Sequence, residues 1–347
     1  MQNHGPINES NQLLHGMVDV PYTHYILNNM NPVLVTTARV YKSSQYVRVN
    51  VKNIDKLCDT FDLRRIRYWI DVAPIELTQL DDNDTLNFLF VFNAINFCYW
   101  GDPKCTTEYK GKRYDGAWGM MVALKRALDD GIPILDPKYL SNLTRGELAT
   151  ILRGDGELPL FDARLQILHE VGNILHHKFG GRFSNVVKLA AGDTLKLLDI
   201  VTYEFPSFND FAFYRGYKVY FHKRAQLLIA DIYRSFKGQG VGNLHGIEQL
   251  TCCADYKIPQ VLRKLGILEY TTELADKVDN KVIIPHGSIE EIEIRANTIW
   301  AVEFIKSRLK SKSVQITAMD IDSYLWLLGQ NKSPTDKPYH RTYTICY

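Results

Sequence analysis

The sequence predicts a mainly α-helical protein carrying two small β-hairpins, and three observations lead there. Apolar residues recur at helical spacing in many windows, as in Ala225, Leu228, Ile229, Ile232 and Phe236 at i, i+3, i+4, i+7 and i+11. Two windows, Thr107 to Tyr114 and Tyr214 to Phe221, have the tempo of short strands folding back at a glycine. Glycine and proline stand where helices should begin or stop. The 347 residues can bury a substantial core, and no internal repeat or low-complexity linker divides them. The expectation is a loose N-terminal arm over residues 1–30 and a single domain over 31–347, with a soft division near residue 200.

From Asn31 onward the pattern tightens. Val47, Val49 and Val51 alternate as a short strand or an extended lead-in, and Ile54 to Phe61 follows as a short helix. Leu86 to Phe97 is a nearly continuous apolar run, too short to cross a membrane, that reads as a core helix ending in a loop. The alternative for its end is a ligand wall built from Asn96, Phe97 and Trp100. The first hairpin turns at Gly111, and a helix over Trp118 to Leu128 stops at Gly131. Further helices are expected at Arg145 to Leu152, Phe161 to His177 and Gly192 to Val201. After the second hairpin come a helix opening at His222-Lys223, a long helix over Glu291 to Leu309 and a shorter one over Ile321 to Leu328.

The densest run is His222 to Leu265. Lys223 falls in the first turn of one helix, and Gly238, Gly240 and Gly242 punctuate the chain after it. Ile258, Val261, Leu262 and Leu265 form the stripe of the next helix, with Pro259 early and Gly266 just past its end. Asp255 therefore lies at a helix N-terminus, where unpaired backbone N–H groups and the helix dipole favour an ionised carboxylate. Such an anion suits an oxocarbenium-like transition state beside a bound sugar, and the layout suggests a glycosidase site. The same position also suits a plain helix cap.

Composition and spacing exclude several classes. A net charge of +2 without a basic tail argues against a stable nucleic-acid complex. Six cysteines at 58, 98, 105, 252, 253 and 346 lack C-x-x-C spacing, which favours a reduced, cytoplasmic setting and no metal. No apolar run approaches a membrane span, and Met1 to Leu14 has no signal-peptide core. His169-Glu170 is followed at i+4 by Asn173 rather than histidine, so a zincin motif fails. The glycine cluster follows a helix rather than a strand and lacks the offsets of a dinucleotide loop, so a helix-hairpin-helix turn fits better. No G-x-S-x-G elbow is present.

Several strings, taken in order, resemble the queuosine salvage protein family, queuosine 5′-phosphate N-glycosylases similar in fold to helix-hairpin-helix DNA glycosylases. They are Asn96-Phe97-Cys98-Tyr99-Trp100, Arg126-Ala127-Leu128 with Gly131-Ile132-Pro133-Ile134, Phe179-Gly180-Gly181, and Phe205-Pro206-Ser207-Phe208 with Asp210. Lys223-Arg224-Ala225-Gln226, Ala230-Asp231, Ala254-Asp255-Tyr256-Lys257 with Pro259-Gln260, Glu293-Ile294-Arg295 and Tyr339-His340-Arg341 complete the series. The resemblance runs from about Asn31 to Tyr347. It implies hydrolysis of queuosine 5′-monophosphate to free queuine, by a cofactor-free monomer acting on a small molecule.

The resemblance also implies roles. Asp255 takes the catalytic aspartate position and Lys223 that of the lysine opening the helix before the hairpin. Phe97, Trp100, Asp322 and Trp326 are candidates for holding the base and its side group, and His340 and Arg341 for meeting the phosphate. Asn96, Asp231 and Tyr256 complete the substrate-binding set. Cys252-Cys253 stands where the family more often shows Met-Phe, and Lys257 where arginine is usual, so one wall of the base pocket should differ. Two rivals use the same parts: a DNA-repair base glycosylase, and a non-catalytic module binding a modified base or transfer RNA.

Overall fold

The computed structural model describes residues 30–62, 64, 66–331, 333, 334 and 336–347. Apart from Met30, the expected arm over residues 1–30 lies outside the described residues. Among those described, 14 α-helices and three two-stranded antiparallel sheets form the protein.

Helix α1 (Pro32–Ser43) is absent from the sequence expectation. Its cues are Pro32 at the first turn and Asn31, whose side chain accepts from the Val33 N–H. The strand expected through Val51 stops as β1 (Val47–Val49), because Asn50 caps a new helix through the Asn53 N–H and Val51 becomes the first residue of α2 (Val51–Asp59). The apolar run is α3 (Asp82–Ala94), capped by Asp81 and buried from Thr85 to Ala94. It ends before Asn96. The first hairpin is β2 (Thr106–Tyr109) and β3 (Lys112–Asp115), turning at Lys110-Gly111 with both φ angles positive.

Next come α4 (Gly116–Asp129), α5 (Pro137–Ser141), α6 (Arg145–Ile151), α7 (Phe161–Phe179), α8 (Phe183–Leu189) and α9 (Thr194–Glu204). Of these, α5 and α8 are too short to carry a periodic signal. The second hairpin, β4 (Phe211–Tyr214) and β5 (Tyr217–Tyr220), leads into α10 (Lys223–Ser235). After residues 236–256 come α11 (Lys257–Lys264), β6 (Leu268–Tyr270), α12 (Thr272–Asp279), α13 (Ile289–Ser311) and α14 (Ala318–Leu328). Strand β6 pairs with β1, Val47 opposite Tyr270 and Val49 opposite Leu268. The valine alternation marks β1 in the sequence, but its pairing with a three-residue strand so far along the chain leaves no signature.

The chain divides into two compact units, each assembled from separated segments. Unit one holds the described residues up to Trp69, Phe211–Lys223 and Gly246–Thr342; unit two holds Ile70–Asp210, Arg224–His245 and Tyr343–Tyr347. Unit one is built around α13. Ile294, Ile299, Val302 and Ile305 are fully buried, and so are Glu291, Glu293, Arg295 and Thr298. Buried charge of this kind needs internal partners. Glu293 supplies one case: Oε2 accepts from the Gln45 and Tyr46 N–H groups at 2.8 and 2.6 Å, and Oε1 from the Tyr214 hydroxyl at 2.9 Å.

Unit two packs around Phe90, whose ring lies 4.3 Å from Phe183, 4.8 Å from Phe205 and 5.7 Å from Phe208. The buried face of α10 is the Ala225, Leu228, Ile229, Ile232 stripe. Gly242 has a packing reason to lack a side chain, since a Cβ there would run into Cβ of Phe236 and crowd the Ile232 carbonyl.

Candidate active site

Asp255 sits where spacing put it. Its Oδ1 accepts from the Lys257 N–H at 2.7 Å and the Ile258 N–H at 3.0 Å, satisfying two of the unpaired donors that begin α11. The cap is therefore real, and the side chain is half-buried rather than spread into solvent. The stripe behind it, Ile258, Val261 and Leu262, is buried, and Gly266 ends the helix with φ +66°.

The irregular segment leading to Asp255 is held from several sides of unit one. Asp322, from α14, accepts the Cys253 N–H on Oδ2 at 2.7 Å. Arg295, from α13, donates Nε–H to the Ala254 carbonyl at 3.1 Å. The Cys253 thiol points to the Lys223 carbonyl, with Sγ 3.5 Å from the oxygen. Cys252 is buried beside it. Burial foremost, with Asp322, Cys253, Glu303 and Asp255 adding negative charge nearby, pushes its thiol well above the ordinary range. Cys252 is thus an apolar neutral neighbour of three carboxylates, not a nucleophile.

Unit one accordingly gathers Lys223, Asp255 and Asp322 around one short segment, with Lys223 itself 6% exposed. Tyr256 lies next to Asp255 and packs its ring 4.8 Å from that of Tyr339. Trp326 is half-buried on α14, its ring edge-on to Trp69 at 6.0 Å. His340 and Arg341 differ from each other. The Arg341 carbonyl accepts the Ile284 N–H at 2.8 Å, tying the segment down, and its side chain is half-buried. His340 is fully enclosed, and burial pulls its imidazole down to about 4, against the raising influence of Glu291 and with a further lowering by Arg295. At neutral pH it can offer a hydrogen bond to a phosphate but no charge.

The remaining expected residues belong to unit two and have definite structural partners there. Phe97 is fully buried, with the guanidinium carbons of Arg164 and Arg224 lying 4.3 and 5.3 Å from its ring centre. Arg164 also donates to the Phe97 and Cys98 carbonyls, and Arg224 to those of Ala94 and Ser207. Burial lowers the Arg224 guanidinium to about 10, partly offset by Cys346, Asp210 and Glu170. Asn96 Oδ1 accepts from the Tyr99 hydroxyl at 3.0 Å, and Trp100 packs its ring 4.4 Å from Tyr343. Asp231 is fully buried on α10 and accepts from Asn93 Nδ2 at 3.0 Å.

Sequence reasoning gave no role to Glu291 and Arg295, one helical turn apart on α13 and both fully buried. Glu291 Oε1 lies 3.6 Å from Arg295 Nη1 and 3.8 Å from His286 Nδ1, and Oε2 accepts the Gly287 N–H at 3.1 Å. A signal existed. Glu291, Glu293 and Arg295 alternate with Ile292 and Ile294, so a helix buried on that side must bury charge, which is costly unless each is paired inside.

Residues 77–347 match the family described as queuosine salvage protein. The chain is 43% identical over 319 residues to the queuosine 5′-phosphate N-glycosylase/hydrolase of Sphaerobacter thermophilus, spanning 91% of this chain and 97% of that protein. It is similar to proteins of the same name from Bos taurus, 37% identical over 281 residues (77% of this chain, 82% of that protein), and from Dictyostelium discoideum, 32% over 336 residues (92% and 100%).

Proposed function

The chain belongs to the queuosine salvage protein family, and from that premise we propose that it hydrolyses the N-glycosidic bond of queuosine 5′-phosphate, releasing queuine for reuse in transfer RNA modification. It is a hydrolase of N-glycosyl bonds, as its relatives are named. Water adds to the ribose C1′, the bond to the base breaks with its electron pair leaving on the base, and a proton ends on the departing base. Ribose 5-phosphate is the other product.

Queuine is a 7-deazaguanine, with carbon at position 7, so the protonation that eases departure of ordinary purines is missing. The site must instead stabilise the electron-poor sugar and hold the departing base by its polar edge. Asp255 does the first by charge and orients the water. The observation that carries this assignment is the fixed Asp255 carboxylate, Oδ1 bound by two backbone N–H groups. Lys223 acts as a cation toward the phosphate or the leaving base, because hydrolysis needs no covalent step and hence no free amine nucleophile. Tyr256, Asp322 and Trp326 contribute to the base pocket within unit one. Arg341 supplies charge for the phosphate and His340 a neutral hydrogen bond.

The fold on this reading is of the helix-hairpin-helix glycosylase type, with α10, the glycine run and α11 in the hairpin's place. No described helix is long and apolar enough to cross a membrane. Six free cysteines suit a reducing compartment, so the enzyme works in the cytoplasm, as a monomer on free nucleotide without a cofactor. The test is incubation with queuosine 5′-monophosphate, queuosine and guanosine 5′-monophosphate, followed by mass spectrometry for free base. Queuine from the first substrate is expected. Folded protein that releases no base from any of the three would overturn the reading.

A further inference from the structure

The segment Cys253-Ala254 is gripped by two buried side chains of opposite charge, from two different helices. Asp322 on α14 accepts the Cys253 N–H at 2.7 Å, and Arg295 on α13 donates to the Ala254 carbonyl at 3.1 Å. Asp322 is 6% exposed and Arg295 fully buried. A backbone carbonyl facing α13 and a backbone N–H facing α14 would each be satisfied by a neutral partner, so charge at both places exceeds what plain satisfaction of the backbone needs. The next residue is Asp255, whose Oδ1 is in turn fixed by the first turn of α11.

Arg295 also packs against the segment that leads into the other candidate catalytic residue. Its guanidinium carbon lies 4.0 Å from the ring centre of Phe221, two residues before Lys223, and Glu291 one turn earlier on α13 stands 3.6 Å from Nη1. A fully buried arginine is expensive unless its donors are matched in direction, and a planar guanidinium held by a carboxylate, a carbonyl and a ring face has little freedom left. What such a group supplies is orientation. It fixes the direction of one peptide plane and, through it, the Cα from which the Asp255 carboxyl departs.

We propose that Arg295 and Asp322 form a charged clamp on the Cys253-Ala254 backbone, making Arg295 a positioning residue for Asp255. This rests on the catalytic reading of Asp255. Displacement of a reacting group by about 1 Å can cost about 100-fold in rate, so the clamp acts on kcat with little effect on ground-state binding of the nucleotide.

The experiment is a double-mutant cycle on the full chain with queuosine 5′-monophosphate, reading kcat and KM for Arg295→Met, Asp255→Asn and the pair. A residue acting through Asp255 loses its effect once that carboxylate is gone, whereas a general structural weakness costs the same factor in both backgrounds. The expected result is a kcat lower by about tenfold or more in Arg295→Met, KM within about threefold, and little further loss in the double variant. Where Arg295→Met does not fold, Arg295→Lys carries the cycle. Multiplied losses, a change confined to KM, or full kcat in the folded variant would overturn the clamp while leaving Asp255 in its role. Unchanged kcat in Asp255→Asn would instead overturn the catalytic reading itself.

Discussion

At the scale of single residues, the cap is the part of the Asp255 reading that the structure shows, and the proposed catalytic role builds on it. One carboxyl oxygen caps α11 through the Lys257 and Ile258 N–H groups, and that restraint is also what aims the rest of the side chain. Its place was legible because caps, stripes and stop signals all have short-range causes. The identity of its supports was not, since Arg295 and Asp322 arrive from distant parts of the chain. His340 shows the same limit. A histidine beside Arg341 suggests a phosphate-binding pair, yet burial lowers its imidazole to about 4. Below the unfolded value near 6.5 the unfolded chain binds a proton that the folded protein does not. Stability is therefore whole above pH 6.5 and lost as pH falls toward 4, by up to about 3 kcal/mol. Urea midpoints should fall between pH 7 and pH 5, and His340→Gln should flatten that slope; an equally steep fall in the variant would count against it.

At the scale of elements, α10, α11 and α13 were readable because their apolar stripes hold the helical period over two turns or more. Helices α5 and α8 and the β1–β6 pair were not, being short and stabilised by tertiary contacts rather than by local pattern. The charges of α13 received no role from the sequence: Glu291, Glu293 and Arg295 are buried with partners on neighbouring segments. Where α11 meets α14 the packing is tight. A Cβ on Gly329 would stand 2.7 Å from Val261 Cγ2 and 3.1 Å from Lys257 Cε, although its backbone, at φ −70°, suits any residue. Gly329→Ala should thus cost about 1–3 kcal/mol through overpacking alone. Equilibrium unfolding would show this as a lower denaturant midpoint, and an unmoved midpoint would mean that the two helices part without strain.

At the scale of the whole molecule, helical content and both hairpins followed from pattern, whereas the division into two units did not. Each unit is assembled from segments that alternate along the chain, crossing at Trp69-Ile70, Asp210-Phe211, Lys223-Arg224, His245-Gly246 and Thr342-Tyr343. No composition change marks those points, because both units need the same mix of buried apolar residues. The cysteines are a whole-chain property too. All six are free, including the adjacent Cys252 and Cys253, so titration of the denatured protein without reductant should find six thiols; a smaller number would contradict a reduced fold. Hydrolysis driven by one fixed carboxylate is tested most directly by comparing wild type with Asp255→Asn for turnover and for Kd toward queuosine 5′-monophosphate. A kcat lower by about 100-fold or more with Kd within about threefold is the predicted result. Release of queuine at the wild-type rate by Asp255→Asn would contradict it.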